Sequence, residues 1–566
     1  MANYAAGPIS TVAQITPLVM LSMSRDHQYF FKAYNDFSDV DADGVTEITY
    51  DDTFEYYGYF HSRLCYEYND ANKRFQPTGA TDSGDNKHYC LDSQSDKFSG
   101  NFLNWATMTR MDIVRKLLYG GLRSTDDGTT TVLERAHLPT DAHSFTKYYN
   151  LPDLKKLTPF ESRKTDTTDG GNNNGFDDAD EGITICNTSF DGSSAVSQAS
   201  TALPTMRVVF GNRQLWAANE RWQCTWESEH GDNANANNPV LSGLDSVTTD
   251  PPDSLRLLTP GNSPERIVRV VACDPTYFNS TQNLENCQLY PSGNRKPTGL
   301  LQRYGESGLI KFGLVTGSWN KNISGGALRK SVGDMADEIN STTNGSFKAA
   351  PATGGIINSL NLMRMWGYRY ADGTYFGAVS GTVSTTSDDC GFQQATITEG
   401  KCRSWGNPMS EIYLETLRYF SVNSSRAPTT AFDPNDTGTF PGMTDIAWTS
   451  DPLNTNNACA SLNIIAFNAS VSSYDNDQTT SSIFGATTPA AQTKLIGDDE
   501  GVTGNSFFVG RAGSTIDEFC TQKTVTDLGT AFGICPEAPT GVGSYHMGGM
   551  AWYAHTHDMR SDLPDD

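Results

Sequence analysis

Asp39-Val-Asp41-Ala-Asp43-Gly44-Val45-Thr-Glu47 sets carboxylates at loop positions one, three and five, glycine at six and a further carboxylate at nine. That spacing suits a hard cation. Ca2+ takes about six to eight oxygens, and this loop offers Asp39, Asp41, Asp43, the Val45 carbonyl and Glu47, with glycine for the sharp turn. Position twelve holds Tyr50 where an EF-hand has bidentate glutamate, so Asp51, or its neighbour Asp52, is the expected replacement. Clustered carboxylates repel one another unless a cation sits among them. The alternative is a solvated acidic turn. A second acidic stretch, Asp166 to Glu181, is looser and reads as a flexible loop.

The cysteines carry the next chemistry. There are eleven, and no two form Cys-x-x-Cys, which argues against zinc ribbons, thioredoxin-like exchange and c-type haem attachment. Their spacing suggests local staples: Cys65–Cys90, Cys273–Cys287, Cys390–Cys402 and Cys520–Cys535, with Cys186–Cys224 as a fifth and Cys459 left over. Spacing does not fix connectivity, and buried thiols are the competing reading. Loops of this size stabilise by about 3 kcal/mol each when closed without strain. The Gly, Asn, Ser and Thr richness around them favours an oxidised, exported chain, its signal peptide already removed.

No Gly-x-Ser-x-Gly, His-Glu-x-x-His or phosphate-binding loop is present, so the chain is expected not to be an enzyme. His555 and His557 sit two apart in a segment that reads as helix, which turns them to different sides. Trp216, Trp222 and Trp226 have the makings of a sugar-stacking surface, but packing inside a stapled loop needs no ligand and is the expected role.

These groups need a frame. Apolar runs at 17–24, 206–210, 267–272, 308–315 and 462–467 predict strands. Helical spacing predicts helices over 102–118, 327–339, 355–366, 410–420 and 546–557, the first capped by Ser99 or Asn101 and stopped by Gly120-Gly121. Continuous apolar strands alternating with amphipathic helices imply an α/β fold with a mostly parallel sheet covered on both faces. The polar stretches near 30–100, 125–200, 212–262, 375–405 and 425–458 are then insertions in a single domain spanning 1–566. At 566 residues, with 66 Asp and Glu against 41 Lys and Arg and a formal charge of −25, the chain is folded and acidic. Nucleic acid, anionic membranes and membrane insertion are poor expectations for it.

Three blocks resemble a known family. They are Gly100-Asn-Phe-Leu-Asn-Trp-Ala-Thr-Met-Thr-Arg-Met-Asp-Ile-Val-Arg-Lys-Leu-Leu-Tyr-Gly-Gly121, Ile310-Lys-Phe-Gly-Leu-Val-Thr-Gly317 and Trp405-Gly-Asn-Pro-Met-Ser-Glu-Ile-Tyr-Leu-Glu-Thr416. Together they resemble the N-terminal region of PilY/PilC-type type IV pilus tip adhesins, over roughly residues 16 to 560. The resemblance implies a von Willebrand factor A-like (Rossmann-like) domain with insertions, and a C-terminal calcium-binding β-propeller that this sequence does not contain. It also implies a cell-surface role in attachment and pilus biogenesis, with minor and major pilins and a host or abiotic surface receptor as partners. A different reading is a structural subunit that self-assembles into an extracellular filament.

A-type domains hold Mg2+ through Asp-x-Ser-x-Ser after the first strand and an Asp after a later one. The corresponding residues are Met20, Ser22 and Ser24, with Asn468 after the 462–467 strand. A thioether is a poor ligand for a hard cation. Ser22, Ser24 and Asn468 are thus the remnants of a site expected not to hold Mg2+, and adhesion is expected to run through the insertions.

Overall fold

The computed structural model describes residues 15–563 except 85–86, 140–142, 161–180, 191–201, 218–222, 225–264, 279–282, 350–353, 366–367, 370–373, 380–381, 388–396, 402, 404, 422–435, 437–441 and 449–450.

Leu18–Met23 is buried along its whole length: Leu18 and Met20 face one core, Val19, Leu21 and Met23 the other. A strand apolar on both faces has to lie inside a sheet covered on both sides. It pairs in parallel with Lys311–Thr316 on one flank and Leu462–Phe467 on the other. Ala327–Gly333 closes the sheet antiparallel to Lys311–Thr316. Helix Met409–Phe420 covers one face, where Ile412 and Tyr419 join Leu18, Met20 and Val315. Helices Arg110–Tyr119 and Ile356–Leu362 cover the other through Met111, Leu118, Ile356 and Leu360.

Two elements differ from expectation. The helix over 102–118 is two, Gly100–Thr107 and Arg110–Tyr119, because Met108 and Thr109 are extended. The Thr109 hydroxyl accepts from the Asp112 amide and the Asp112 carboxylate accepts from the Thr109 amide, so a capping box restarts the helix. Gly120, at φ +86°, ends it in the left-handed conformation. The helix expected over 327–339 is instead the strand Ala327–Gly333. Arg329 and Lys330 look like the solvent face of a helix, but both are buried against carboxylates, Arg329 on Asp436 and Lys330 on Asp337 and Glu338.

The sheet is also not mostly parallel throughout the molecule. Among the described residues there are six sheets of mixed orientation. The strands expected at 206–210 and 267–272 are not in the central sheet but join segments read as insertions: Arg269–Ala272 lies in a six-stranded sheet with Leu64–Asn69 and Arg74–Ala80, and Leu203–Phe210 in an antiparallel one running Glu265–Ile267, Leu203–Phe210, Ile183–Phe190, Phe145–Tyr149. These two share a core made largely of rings, Tyr50, Phe60, Phe75, Phe102, Trp105 and Tyr149 among them. Asn101 and Asn104 of the first helix anchor the chain over it. Asn101 Oδ1 accepts from the Tyr56 amide at 2.8 Å and Asn104 Oδ1 from the Phe60 amide at 3.0 Å, while their amide groups donate to the carbonyls of Phe54, Tyr56 and Phe60. Buried amides need this full set of partners.

Among the described residues four disulfides join Cys65–Cys90, Cys186–Cys224, Cys273–Cys287 and Cys520–Cys535, with Cα separations of 5.5–5.8 Å. The expected Cys390–Cys402 pair lies outside the described residues, and Cys459 is at the surface. Near the C-terminus, helices Pro489–Asp499 and His546–Thr556 pack together beside a small sheet of Thr515–Thr524, Ser506–Ala512 and Phe532–Ile534. No described helix is long and apolar enough to cross a membrane.

Candidate functional site

The acidic loop is closed by a short antiparallel contact: the Phe37 amide donates to the Glu47 carbonyl at 2.7 Å and the Glu47 amide to the Ser38 carbonyl at 3.2 Å. Ala42 and Gly44, at φ +63° and +88°, make the turn between. Asp39, Asp41, Asp43 and Glu47 then each present a carboxylate oxygen within 4.8 Å of the others, all at or near the surface. Backbone donors aim them: the Gly44 amide bonds Asp39 Oδ2 at 3.0 Å, Val45 bonds Asp43 Oδ1 at 2.7 Å and Val40 bonds Glu47 Oε2 at 2.6 Å. An all-oxygen donor set of this charge fits Ca2+. Asp51 does not join it. Its Oδ1 accepts from the Thr53 amide and hydroxyl at 2.7 and 2.8 Å, and Asp52 accepts from the Tyr50 hydroxyl and the His88 amide. Cys273, Glu285 and Cys287 also converge, but the two sulfurs are bonded to one another and offer no thiolate.

The second candidate is the carboxyl edge of the central sheet. Strand order reverses between Leu18–Met23 and Leu462–Phe467, and in open α/β sheets ligands bind beyond the carboxyl ends at that reversal. Met20 is not there. It lies mid-strand, opposite Gly313 and Ile464, and its thioether packs over Gly313. Ser22 Oγ accepts from the Thr416 hydroxyl of the covering helix at 3.2 Å. Ser24 ties the two strand ends together, its amide donating to the Phe467 carbonyl at 3.0 Å. Asn468 Oδ1 accepts from Asn407 Nδ2 at 2.9 Å and its Nδ2 donates to the Ser470 carbonyl at 2.6 Å. The three remnant residues therefore serve the helix, the strand ends and a turn.

Charges that the sequence does not single out gather behind this edge. Arg25 is buried, donates from Nε to the Ser318 carbonyl and from Nη2 to the Trp405 carbonyl, and lies 4.6 Å from the centre of the Trp319 ring. Burial lowers its pKa to about 10, against the pull of Asp436, Asp26 and Glu399. Asp436 accepts from the Ser318 hydroxyl, the Trp319 and Asn320 amides and Arg329 Nη2, the last at 2.5 Å. Glu411, in the first turn of its helix, accepts from the Gly325 and Gln478 amides; burial, with Asp477 and Asp475 nearby, pushes it up to about 9. Glu411 and Asn407 fall inside the Trp405–Thr416 block, which carried the family pattern without any role attached. Asp436 has no neighbouring motif at all.

Trp216 is fully buried and offers no face to a sugar, while Trp222 and Trp226 lie outside the described residues. His557 stacks on Tyr553 at 3.9 Å, next to the helix end that carries His555.

Comparison with known proteins bears on this arrangement. Residues 47–209, which hold the acidic loop's last carboxylate and the split helix, match the model of a PilY1 homolog small alpha/beta domain. Residues 312–554, with three of the four central strands, match that of a PilY1 homolog second domain. The chain is also 30% identical, over 95% of its length, to a type IV pilus biogenesis factor PilY1 homolog of Xylella fastidiosa (strain Temecula1). It belongs to the PilY1 family. A second PilY1 homolog of that organism is 26% identical over 66% of this chain. The chain spans about a third of the first relative's length and about a quarter of the second's, 35% and 26% respectively. No solved structure matches it. The four disulfides among the described residues are consistent with an exported protein.

Proposed function

We propose that this chain is the attachment region of an extracellular type IV pilus tip protein, built on an A-like sheet and stabilised by Ca2+, with minor and major pilins and a host or abiotic surface as its partners. The observation that carries the adhesive part is where the apolar surface lies. Phe508 and Ile516 are 66% and 69% exposed on one hairpin, with Phe507 and Phe519 beside them, and Phe37, Val45 and Ile48 are exposed around the acidic loop. Large apolar side chains left in water on the strands of one hairpin and around an exposed loop suit contact with another surface rather than a core. Strand order supports the A-like reading. Numbered within the central sheet it is 3-2-1-4, the first four strands of a doubly wound fold.

Replacing Phe508 and Ile516 together by serine should leave the melting temperature within about 2 °C of wild type and reduce retention on purified pilin complexes and on hydrophobic beads at least about tenfold. Equal retention by wild type and variant would remove the adhesive reading. A filament subunit is the second reading, favoured by the half-exposed outer strand Leu462–Phe467 and the exposed strand Thr515–Thr524, each at a sheet edge. Concentration-dependent fibres in light scattering would select it.

The Ca2+ part has its own test. In the proposed site Asp39, Asp41, Asp43, Glu47 and the Val45 carbonyl hold the ion, which neutralises the converging carboxylates and fixes the loop. Asp41→Ala should then lower the melting temperature in millimolar Ca2+ and leave it unchanged in chelator. An equal drop in both conditions would assign Asp41 a role without the ion.

A further inference from the structure

We infer that the pocket at the carboxyl edge of the central sheet binds a carboxylate attached to an apolar group, with Arg110 as its counter-charge. The cavity measures about 430 Å³, within the range of small-ligand sites, and opens where the strand order reverses. Its walls are mainly apolar: Ile113 and Val114 from the helix Arg110–Tyr119, and Phe467 and Ala469 from the end of the outer strand. Such a lining takes up an aliphatic or aryl body and rejects a fully hydrated ion.

Arg110 supplies the charge. The other pocket-lining groups are neutral, and Arg110 is half-buried with no ion pair among the described residues. Its polar contact is a long one, 3.5 Å from Nη1 to the Ala469 carbonyl, and its guanidinium lies 5.9 Å from the Phe31 ring centre. Asp26 attracts it from a distance, but an Asp26 oxygen is already taken by the Gln28 amide. Other buried arginines of the chain have closer partners: Arg123, Arg329 and Arg560 pair with Asp126, Asp436 and Asp451, and Arg25, Arg115 and Arg135 donate to backbone carbonyls or, for Arg135, also to the Asn187 side-chain oxygen. In a chain of net charge −25, an unmatched guanidinium in an apolar cleft is set against a ligand's anion.

Two further features point the same way. Arg110 opens a ten-residue helix, so the partial positive charge of the helix start adds to its own. Behind the pocket the Tyr29 and Ser24 hydroxyls are buried and have no hydrogen-bond partner among the described residues. Tyr29 lines the cavity and offers a donor to a carboxylate oxygen that the guanidinium does not satisfy. Recognition of this kind needs no metal. It is therefore independent of the acidic loop and of the exposed hairpin, and its failure leaves the proposed attachment role standing.

The test uses the whole chain and titration calorimetry with 3-phenylpropionate. Binding should be at least about tenfold tighter than for the neutral 3-phenylpropanamide, and unchanged by chelator. Arg110→Gln should weaken it at least about tenfold, and Val114→Trp, which fills the cavity without touching the charge, should abolish it. N-acetyl-Ala-Phe with a free carboxylate separates two sources of the same chemistry: tighter binding than phenylpropionate indicates a polypeptide C-terminus, equal or weaker binding a free organic acid. The inference is overturned if acid and amide bind alike, if neither binds at about 10 mM, or if both folded variants bind as wild type does.

Discussion

Asp436→Ala lowers the free energy of unfolding by about 3–5 kcal/mol, the usual cost of orphaning a buried charge. Asp436 and Arg329 are both fully buried, and Asp436 is the carboxylate paired with that guanidinium. Removing it also frees three donors, the Ser318 hydroxyl and the amides of Trp319 and Asn320. Those donors hold the loop that follows the strand Lys311–Thr316, and Arg329 itself donates to Thr316 Oγ1 and the Gly317 carbonyl. The damage is therefore centred on the sheet edge. Urea denaturation followed by tryptophan fluorescence reads it, because Trp319 sits on the lost carboxylate. The double variant Arg329→Met with Asp436→Ala should recover part of the loss, since Arg329 is then no longer a stranded cation, while Arg25 keeps the attraction of Asp26 and Glu399. A single-variant loss below about 1 kcal/mol would rank the pair with exposed ion pairs and contradict its burial.

How far this arrangement is legible in the sequence follows from how local its signals are. Leu18–Met23 and Leu462–Phe467 stand out because a short apolar run between polar segments has few other uses, and the structure has strands at both. Met409–Phe420 and His546–Thr556 likewise carry their apolar residues at helical spacing. Four cysteine pairs were readable because each closes a loop of 14 to 38 residues. Ala327–Gly333 was misread because Arg329 and Lys330 turn inward onto partners that no local pattern announces. The ring-rich sheets escaped for a related reason. Leu64–Asn69 and Arg74–Ala80 carry few aliphatic residues, and their burial rests on Tyr66 and Phe75 meeting rings from elsewhere, as Phe60 meets Phe75 at 5.4 Å. Asp436 is the extreme case. It lies in a polar stretch read as a projecting insertion, yet its partners are 107 to 118 residues away. The acidic loop is the opposite case, since Asp39, Asp41, Asp43 and Glu47 converge through the backbone of a single turn.

The buried carboxyl of Glu411 predicts a pH dependence whose sign is fixed by its surroundings. It is held at about 9 in the folded chain against 4.5 for an open one, chiefly by burial and then by Asp477 and Asp475. The folded chain thus binds this proton more tightly than the unfolded chain does. Stability from this group is complete below about pH 4.5 and is lost as the pH rises toward 9, after which the slope vanishes. At about 1.36 kcal/mol per pH unit the ceiling over that window is about 6 kcal/mol, and relaxation or water entry reduces it. Burial holds Asp475 and Asp112 up in the same sense, so the wild-type slope is a composite. Glu411→Gln isolates one part of it. The amide turns a donor toward one of the two backbone N–H groups that Glu411 accepts, a penalty that is the same at every pH. The variant is therefore less stable than wild type at pH 5 and loses less on going to pH 9, by about 2 kcal/mol or more. Parallel stability curves for the two proteins across that range would show that Glu411 is ionised in the folded chain throughout, with the amides of Gly325 and Gln478 sufficient to hold its charge.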